Sequence, residues 1–223
     1  KSLKKIMSHL AKNYNRKKIS FKKGKGSYLY TVNGTKFLDF VQGIAVNSLG
    51  HSNSKLNRAI KVQSNKLWHV SNAFKIPEGE TLAKKIVNRT FADAIIFQNS
   101  GAEATEAAIK IARRYFFSIG KPKKNRIICI KNSFHGRTIA AIHASGSKKM
   151  VEGFGPKIPG FDHFDFGDHK KLKSLINKNT AAIMIETIMG EGGIKVIPNW
   201  CIKELRKLCN KHKILLILDE VQC

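Results

Sequence analysis

The chain has 223 residues, of which 42% are hydrophobic and 25% charged, so it carries enough apolar side chains to form a buried core. No stretch approaches the length of a membrane span, and the N-terminus lacks the apolar segment of a signal peptide, which predicts a cytoplasmic protein with no membrane partner. The net charge of +26 comes from 41 lysines and arginines against 15 acidic residues. The lysines are scattered rather than interleaved with aromatics in one stripe, so we do not expect a nucleic-acid partner.

The cysteines and histidines predict no metal site. Cys129, Cys201, Cys209 and Cys223 show no C-x-x-C spacing, and the histidines form no H-E-x-x-H pair. Cys129 lies within an apolar run, which favours buried thiols in a reducing compartment.

The first half of the chain changes its hydrophobic period near residue 40. Alternating residues flank Asn33-Gly34, which predicts a hairpin over 28–40, whereas the Gly24-Lys25-Gly26 stretch before it is typical of a turn. Helical spacing follows in two segments, one around Ile60 and one after Pro77.

From residue 94 onward, short apolar runs alternate with helical segments. Strands are predicted at 94–97, 126–130, 181–185 and 214–218, and the residues between 145 and 168 are predicted to form a long connection. This alternation indicates an α/β fold with a mostly parallel sheet covered on both faces. The chain begins at Lys1 and stops just after a strand, so we expect a truncated fragment, with Met7 a candidate for the natural start.

Ligands bind beyond the carboxyl ends of parallel strands, so the residues that follow each apolar run are the candidates for chemistry. Ser100-Gly101-Ala102 opens a helix and leaves backbone amides accessible to a phosphate, although Ser100 and Glu103 also fit an ordinary capping box. Phe134 could cover a flat heterocycle and Arg137 could bind a carboxylate. A buried phenylalanine beside a surface arginine is the alternative.

Asp219 ends the last apolar run, where a carboxylate needs a cationic partner. A protonated ring nitrogen would serve, and so would a metal ion, but the chain has neither the G-x-x-x-x-G-K-[ST] loop nor G-x-G-x-x-G after a strand. A phosphate anchor, an aromatic cover and a carboxylate together match pyridoxal 5′-phosphate better than a dinucleotide.

Nearly the whole chain resembles the class III pyridoxal-phosphate-dependent aminotransferases. The resemblance rests on the blocks 99–104 (Asn-Ser-Gly-Ala-Glu-Ala), 133–138 (Ser-Phe-His-Gly-Arg-Thr), 190–193 (Gly-Glu-Gly-Gly) and 219–222 (Asp-Glu-Val-Gln). It implies a fold-type I transferase, with residues 1–50 forming part of the small domain and residues 51–223 an incomplete cofactor-binding large domain.

The resemblance also implies roles at the cofactor. Gly101 and Ala102, with Ser100, would bind its phosphate. Phe134 would stack on one face of the pyridine ring and Val221 would pack against the other.

Four more residues receive roles from the resemblance. Asp219, as a catalytic residue, would pair with the ring nitrogen, and Gln222 would hydrogen-bond the phenolic oxygen. Arg137 would hold a substrate carboxylate. Glu191, a second catalytic residue that also binds substrate, would be the acidic residue that in relatives pairs with a second arginine and moves aside when the dicarboxylate enters.

The implied reaction moves the δ-amino group of N-acetylornithine to 2-oxoglutarate, giving glutamate, in arginine biosynthesis, because the chain is most similar to the bacterial members that act on N-acetylornithine. The alternatives are a class III ω-aminotransferase for ornithine, 4-aminobutyrate or succinyldiaminopimelate and, from another class, a basic nucleic-acid-binding α/β protein. The resemblance further implies a homodimer of the full-length protein.

The chain departs from the family pattern at three positions. Thr187, Met189 and Asn53 replace the usual Pro, Gln and Pro. The Schiff-base lysine is expected beyond Cys223, so we expect the fragment to be inactive by itself.

Overall fold

A computed structural model describes residues 9–223, so Met7 lies outside the described residues. The chain divides into two compact units, one ending at Pro77 and the other running from Glu78 to Cys223. The domain boundary expected at residue 50 stays a prediction.

The first unit contains a three-stranded antiparallel sheet in the order β1-β2-β3, formed by β1 (Phe21–Lys25), β2 (Tyr28–Thr31) and β3 (Lys36–Leu38). The β2–β3 pair confirms the predicted hairpin, and Gly34 in its turn has a φ of 86°. The turn predicted at residues 24–26 was wrong in part, because Gly24 and Lys25 pair with β2 as strand residues.

Two helical segments follow in this unit, α1 (Gln42–Ala45) and α2 (Ser54–Ser64). The next helix, α3 (Pro77–Val87), begins at the last residue of this unit and belongs almost wholly to the second. All four residues of α1 have positive φ, so it is a left-handed turn rather than a regular helix. The side chain of Asn53 accepts hydrogen bonds from the amides of Lys55 and Leu56, which explains how an asparagine there starts α2.

A histidine and an aspartate join the end of β3 to the start of α2. Nε2 of His51 donates to Oδ2 of Asp39 at 2.7 Å, and Nδ1 of His51 accepts from Asn47 Nδ2 at 2.8 Å. The amide of Gln42 and this histidine lower the pKa of the Asp39 carboxyl.

The second unit is built around a parallel sheet of four strands. Their order is β5-β4-β6-β9, and every adjacent pair is parallel. The strands are β4 (Arg126–Ile130), β5 (Phe161–Phe164), β6 (Thr180–Glu186) and β9 (Leu215–Asp219). A small antiparallel pair, β7 (Ile188–Met189) and β8 (Lys195–Val196), follows β6. The helices are α4 (Gly101–Ser118), α5 (Ile139–Ala144), α6 (Lys148–Val151), α7 (His169–Leu175) and α8 (Asn199–His212).

Helices cover both faces of this sheet. Ile183 and Ile185 of β6 pack into a cluster with Leu172 of α7 and Leu205 of α8. The alternate residues of β6 pack on the opposite face in a cluster that contains α4 residues. All seven residues of β6 are buried, as expected for a central strand of an α/β fold, so the predicted fold class is confirmed.

Two sequence-based expectations were wrong. Residues 94–97 form no strand pairing, and Ile96 and Phe97 are exposed, so no ladder stabilises an extended conformation there. The connection between 145 and 168 contains α6 and β5, whose Phe161 and Phe164 are buried against the core.

The thiols differ in exposure. Cys129 and Cys209 are buried, as predicted, but Cys201 is half-buried and Cys223 exposed; all four are free. Burial raises the pKa of the Cys209 thiol to about 11. None of the helices within residues 9–223 combines the length and the apolar character of a membrane-spanning segment.

Candidate active site

The sheet order brings three strand ends together. β6 lies between β4 and β9, and Glu186, the last residue of β6, is in register with Asp219, the last residue of β9. The turn after β4 carries Phe134, His135 and, further on, Arg137. The residues predicted to follow the strands β4, β6 and β9 therefore lie at the same edge of one sheet, where parallel α/β folds bind ligands.

The capping box predicted as one alternative at the start of α4 is present with one difference, because Glu103 bonds the amide of Asn99 rather than that of the N-cap residue Ser100. Oγ of Ser100 accepts from the Glu103 amide at 3.2 Å, and Oε2 of Glu103 accepts from the Asn99 amide at 2.7 Å. Gly101 and Ala102 belong to the first turn, where an amide has no acceptor within its own helix. The cap and an anion site are thus compatible, because the cap uses other amides than those of Gly101 and Ala102.

Glycines allow three loops to approach the start of α4 and each other. A methyl group added at Gly101 would lie 2.5 Å from Cγ1 of Val221, and one at Gly136 would lie 3.0 Å from Cα of Ala102. A methyl group at Gly190 would lie 2.1 Å from Oε1 of Gln222. A methyl group at Gly101 would clash with the branched side chain of Val221, and Gly136 has a φ of 113°, so these two positions favour glycine. The end of the flexible Gln222 side chain could move away from a methyl group at position 190.

Asp219 is buried at the tip of β9, with 6% of its side chain exposed. Its Oδ2 accepts from Nδ1 of His135 at 2.7 Å, and its Oδ1 accepts from the amide of Val221 at 3.1 Å. A carboxylate only accepts hydrogen bonds, so Nδ1 of His135 carries the hydrogen. His135 is itself fully buried, and its Nε2 has no partner among the described residues.

Glu186 is a second buried carboxyl group, with 5% of its surface exposed. Its Oε2 accepts the backbone amide hydrogen of Phe134 at 2.9 Å. Burial raises the pKa of the Glu186 carboxyl, and nearby Asp219 raises it further, whereas the Phe134 and Gly190 amides and the His135 ring oppose the rise.

A pocket of about 540 Å³ opens beside these strand ends, and Glu191 and Gln222 both line it. Its remaining lining residues are Ile188, Gly190, Ile194 and Cys223. Arg137 is exposed on the β4–α5 turn and Glu191 is exposed on the β7–β8 turn, so the two residues expected to bind substrate lie on different loops.

This arrangement fits a flat, phosphate-bearing heterocycle. The first-turn amides of α4 suit the phosphate, the close approaches at Gly101 and Gly136 bring two loops to that helix end, and Asp219 offers a buried carboxylate. These are the parts that pyridoxal 5′-phosphate needs from a protein.

Comparison with known proteins identifies the family. The model of the aminotransferase class-III family matches residues 9–223. The chain belongs to this family. Enzymes of the class use pyridoxal 5′-phosphate.

Several curated relatives are named acetylornithine aminotransferase. The chain is 52% identical over 204 residues to an acetylornithine aminotransferase of Agrobacterium fabrum, covering 92% of this chain and 51% of the relative. It is 44% identical over 217 residues to one from Aquifex aeolicus, covering 97% of this chain and 57% of the relative. The chain therefore spans about half the length of the curated relatives it matches.

Solved structures show the same fold. The ornithine aminotransferase from Toxoplasma gondii ME49 superposes with a TM-score of 0.89 at 32% identity, over 96% of this chain and 51% of that chain. The N-acetylornithine aminotransferase from Stenotrophomonas maltophilia K279a gives a TM-score of 0.78 at 35% identity, over 94% of this chain and 52% of that chain. The fold alone does not separate these substrates, because the ornithine enzyme superposes better while the acetylornithine enzyme is closer in sequence.

Sequence reasoning gave no role to His135 or Glu186. His135 lies inside the block that carried the resemblance, and Glu186 ends a strand that was recognised. The sequence does contain a signal for Glu186, because a charged residue that directly ends a fully apolar strand needs a buried hydrogen-bond partner. The partners themselves come from the adjacency of β4, β6 and β9.

The Glu186 pKa shift predicts a pH-dependent stability. When a carboxyl group has a higher pKa in the folded than in the unfolded protein, the free energy of unfolding falls as the pH rises through the folded-state pKa. The fall is absent below pH 4.5, the ordinary pKa of a glutamate carboxyl. In the cofactor-free full-length protein, Glu186→Gln should therefore gain stability relative to wild type as the pH rises from about 4 to 8. Urea unfolding at several pH values measures this difference.

Glu204→Gln is the matched control, because Glu204 is 59% exposed on α8 and its replacement should change stability little at any pH. If the free energy of unfolding of Glu186→Gln differs from that of wild type by the same amount at every pH from 4 to 8, Glu186 is not the desolvated carboxyl.

Proposed function

We propose that the full-length protein is a pyridoxal-phosphate-dependent aminotransferase that transfers the δ-amino group of N-acetylornithine to 2-oxoglutarate, forming glutamate in arginine biosynthesis. The observation that carries this choice of substrate is the 52% identity to an acetylornithine aminotransferase over 92% of the chain. The convergence of α4, the β4–α5 turn and the tip of β9 supports the choice of cofactor.

The cofactor acts as an electron sink for the carbanion that forms when a substrate proton leaves. Gly101 and Ala102, with Ser100 beside them, bind its phosphate at the positive end of the α4 dipole. Phe134 covers one face of its ring and Val221 the other. The Schiff-base lysine that the resemblance places after Cys223 stays a prediction.

Asp219 holds the proton on the ring nitrogen. Its low exposure removes competition from water, so the attraction between carboxylate and protonated ring is stronger than at a surface. Gln222 hydrogen-bonds the phenolic oxygen of the same ring, and its contact with Gly190 places it beside the loop of Glu191. Two directional contacts, from Asp219 and Gln222, would fix how the ring is rotated within its plane.

Arg137 and Glu191 bind the substrates. Arg137 has a planar guanidinium group that can form two parallel hydrogen bonds with a carboxylate. Glu191 lines the 540 Å³ pocket and is exposed, so its side chain has room to move aside when the dicarboxylate 2-oxoglutarate enters. The two substrates thus share one site and differ in how Glu191 is placed.

The expected partners are small molecules. We expect a cytoplasmic homodimer of the full-length protein, with no nucleic-acid or membrane partner.

The second candidate is an ω-aminotransferase of the same class that acts on ornithine, 4-aminobutyrate or succinyldiaminopimelate. The TM-score of 0.89 to an ornithine aminotransferase is the observation that favours it.

Competition between amino donors tests the substrate. With 2-oxoglutarate as acceptor, the full-length protein should have a kcat/KM for N-acetylornithine at least roughly tenfold above that for ornithine, because a site shaped for the acetyl group leaves polar groups unpaired without it. Glutamate formation measures both rates. A preference for ornithine would overturn the choice of donor while leaving the class intact.

A second experiment tests Asp219. Asp219→Asn should still bind the cofactor but lose roughly a hundredfold or more in kcat, as expected when a preorganised charge is removed from the reacting ring. The absorbance of bound cofactor reports binding, and steady-state rates report kcat. A variant with wild-type kcat would contradict the role of Asp219.

A further inference from the structure

Glu186 is a buried acid to which the proposed chemistry gives no task. It ends the central strand β6 with 5% of its surface exposed, next to Asp219, a second carboxyl group. Burying two acids side by side is unfavourable unless each has donors, because both lose hydration and their charges repel. The hydrogen bond that Glu186 accepts indicates what the residue does.

The bond that Glu186 forms holds a turn rather than another side chain. Its Oε2 accepts the amide hydrogen of Phe134 at 2.9 Å. Phe134 follows Asn132, whose φ is 61°, and Ser133, whose buried hydroxyl donates to the Ile130 carbonyl at 2.7 Å. The turn therefore leaves β4 sharply and is fixed at its base by Ser133 and at its top by Glu186.

The same turn crosses the end of β6. β4 and β9 are separated by β6, a span of roughly 10 Å between strand axes. His135 nevertheless donates to Asp219 of β9 at 2.7 Å, so the turn passes over the tip of β6, where Glu186 lies. Glu186 supports this crossing midway, at the residue directly before His135.

We propose that Glu186 is a positioning residue for the cofactor: by accepting the Phe134 amide hydrogen, it places the Phe134 ring over the cofactor face and lets His135 reach Asp219. This inference rests on the proposed function and deepens it. Glu186 touches no reacting atom in this account, because it acts on the cofactor through Phe134.

Cofactor affinity tests the proposal. In the cofactor-free full-length protein, Glu186→Met removes the acceptor at similar volume and should weaken pyridoxal 5′-phosphate binding roughly ten- to a hundredfold, the factor for a lost hydrogen bond to a charged group. Glu186→Gln keeps an oxygen for the Phe134 amide and should stay within about threefold of wild type. Titration followed by absorbance and by quenching of protein fluorescence gives each Kd.

A double-mutant cycle separates positioning from general destabilisation. When Phe134→Leu has already removed the ring, the further effect of Glu186→Met should shrink to about threefold or less, because the two residues act through one contact. Glu204→Met, at an exposed position of α8, is the control and should leave the Kd unchanged. Thermal melting of each cofactor-free variant checks that it is folded.

Four results would overturn the inference: a Glu186→Met Kd equal to that of wild type, equal losses in the Gln and Met variants, independent effects of Glu186→Met and Phe134→Leu, or an unaltered Kd in Glu186→Asp. This last variant keeps the charge but is one methylene shorter, so it replaces Glu186→Met if that protein does not fold, and it should weaken binding in the same direction. Wild-type protein that does not bind the cofactor at all would instead refute the proposed function.

Discussion

The site depends on the need of two buried carboxyl groups for hydrogen-bond donors. Glu186 and Asp219 end adjacent parallel strands in register, where the sheet has no further partners for them. The turn after β4 supplies one donor to each acid, the Phe134 amide to Glu186 and the His135 ring to Asp219. Because each acid would be costly without its donor, this one turn is held in one conformation, and that conformation sets the direction of the residues that follow it.

Glycine makes the rest of the site possible. Val221 and the start of α4 meet only because Gly101 has no side chain, and the β4–α5 turn reaches Ala102 only because Gly136, with a φ of 113°, has none. The phosphate end and the acidic end of the site therefore depend on the same close packing. The buried acid, Asp219, and the start of α4 come from separate parts of the chain. The order of the strands brings them together.

The sequence predicted well those features that follow from local pattern. The hairpin at Asn33-Gly34, the central strands and the helices α4 and α8 follow from periodicity and turn chemistry, and the α/β class follows from their alternation. Residues 94–97 were predicted to be a strand because they are apolar. They form none because no neighbouring strand pairs with them. β5 was missed because it lies in a segment rich in glycine and proline, where local pattern favours a loop.

The candidate site could be predicted in part. Asp219 and the α4 start follow from their positions at the end of a strand and the beginning of a helix, and the family resemblance supplies their roles. The link from His135 to Asp219 spans 84 positions and the link from Phe134 to Glu186 spans 52, so only the strand order reveals them. Local pattern carries no information on such pairs.

In the proposed complex, a planar cofactor lies across the ends of β4, β6 and β9, with its ring nitrogen at Asp219. A crystal structure of the full-length protein with pyridoxal 5′-phosphate bound tests this most directly. We expect the ring nitrogen within hydrogen-bond distance, about 2.7 to 3.0 Å, of an Asp219 oxygen. A cofactor bound elsewhere, or an Asp219 side chain turned toward solvent, would contradict it.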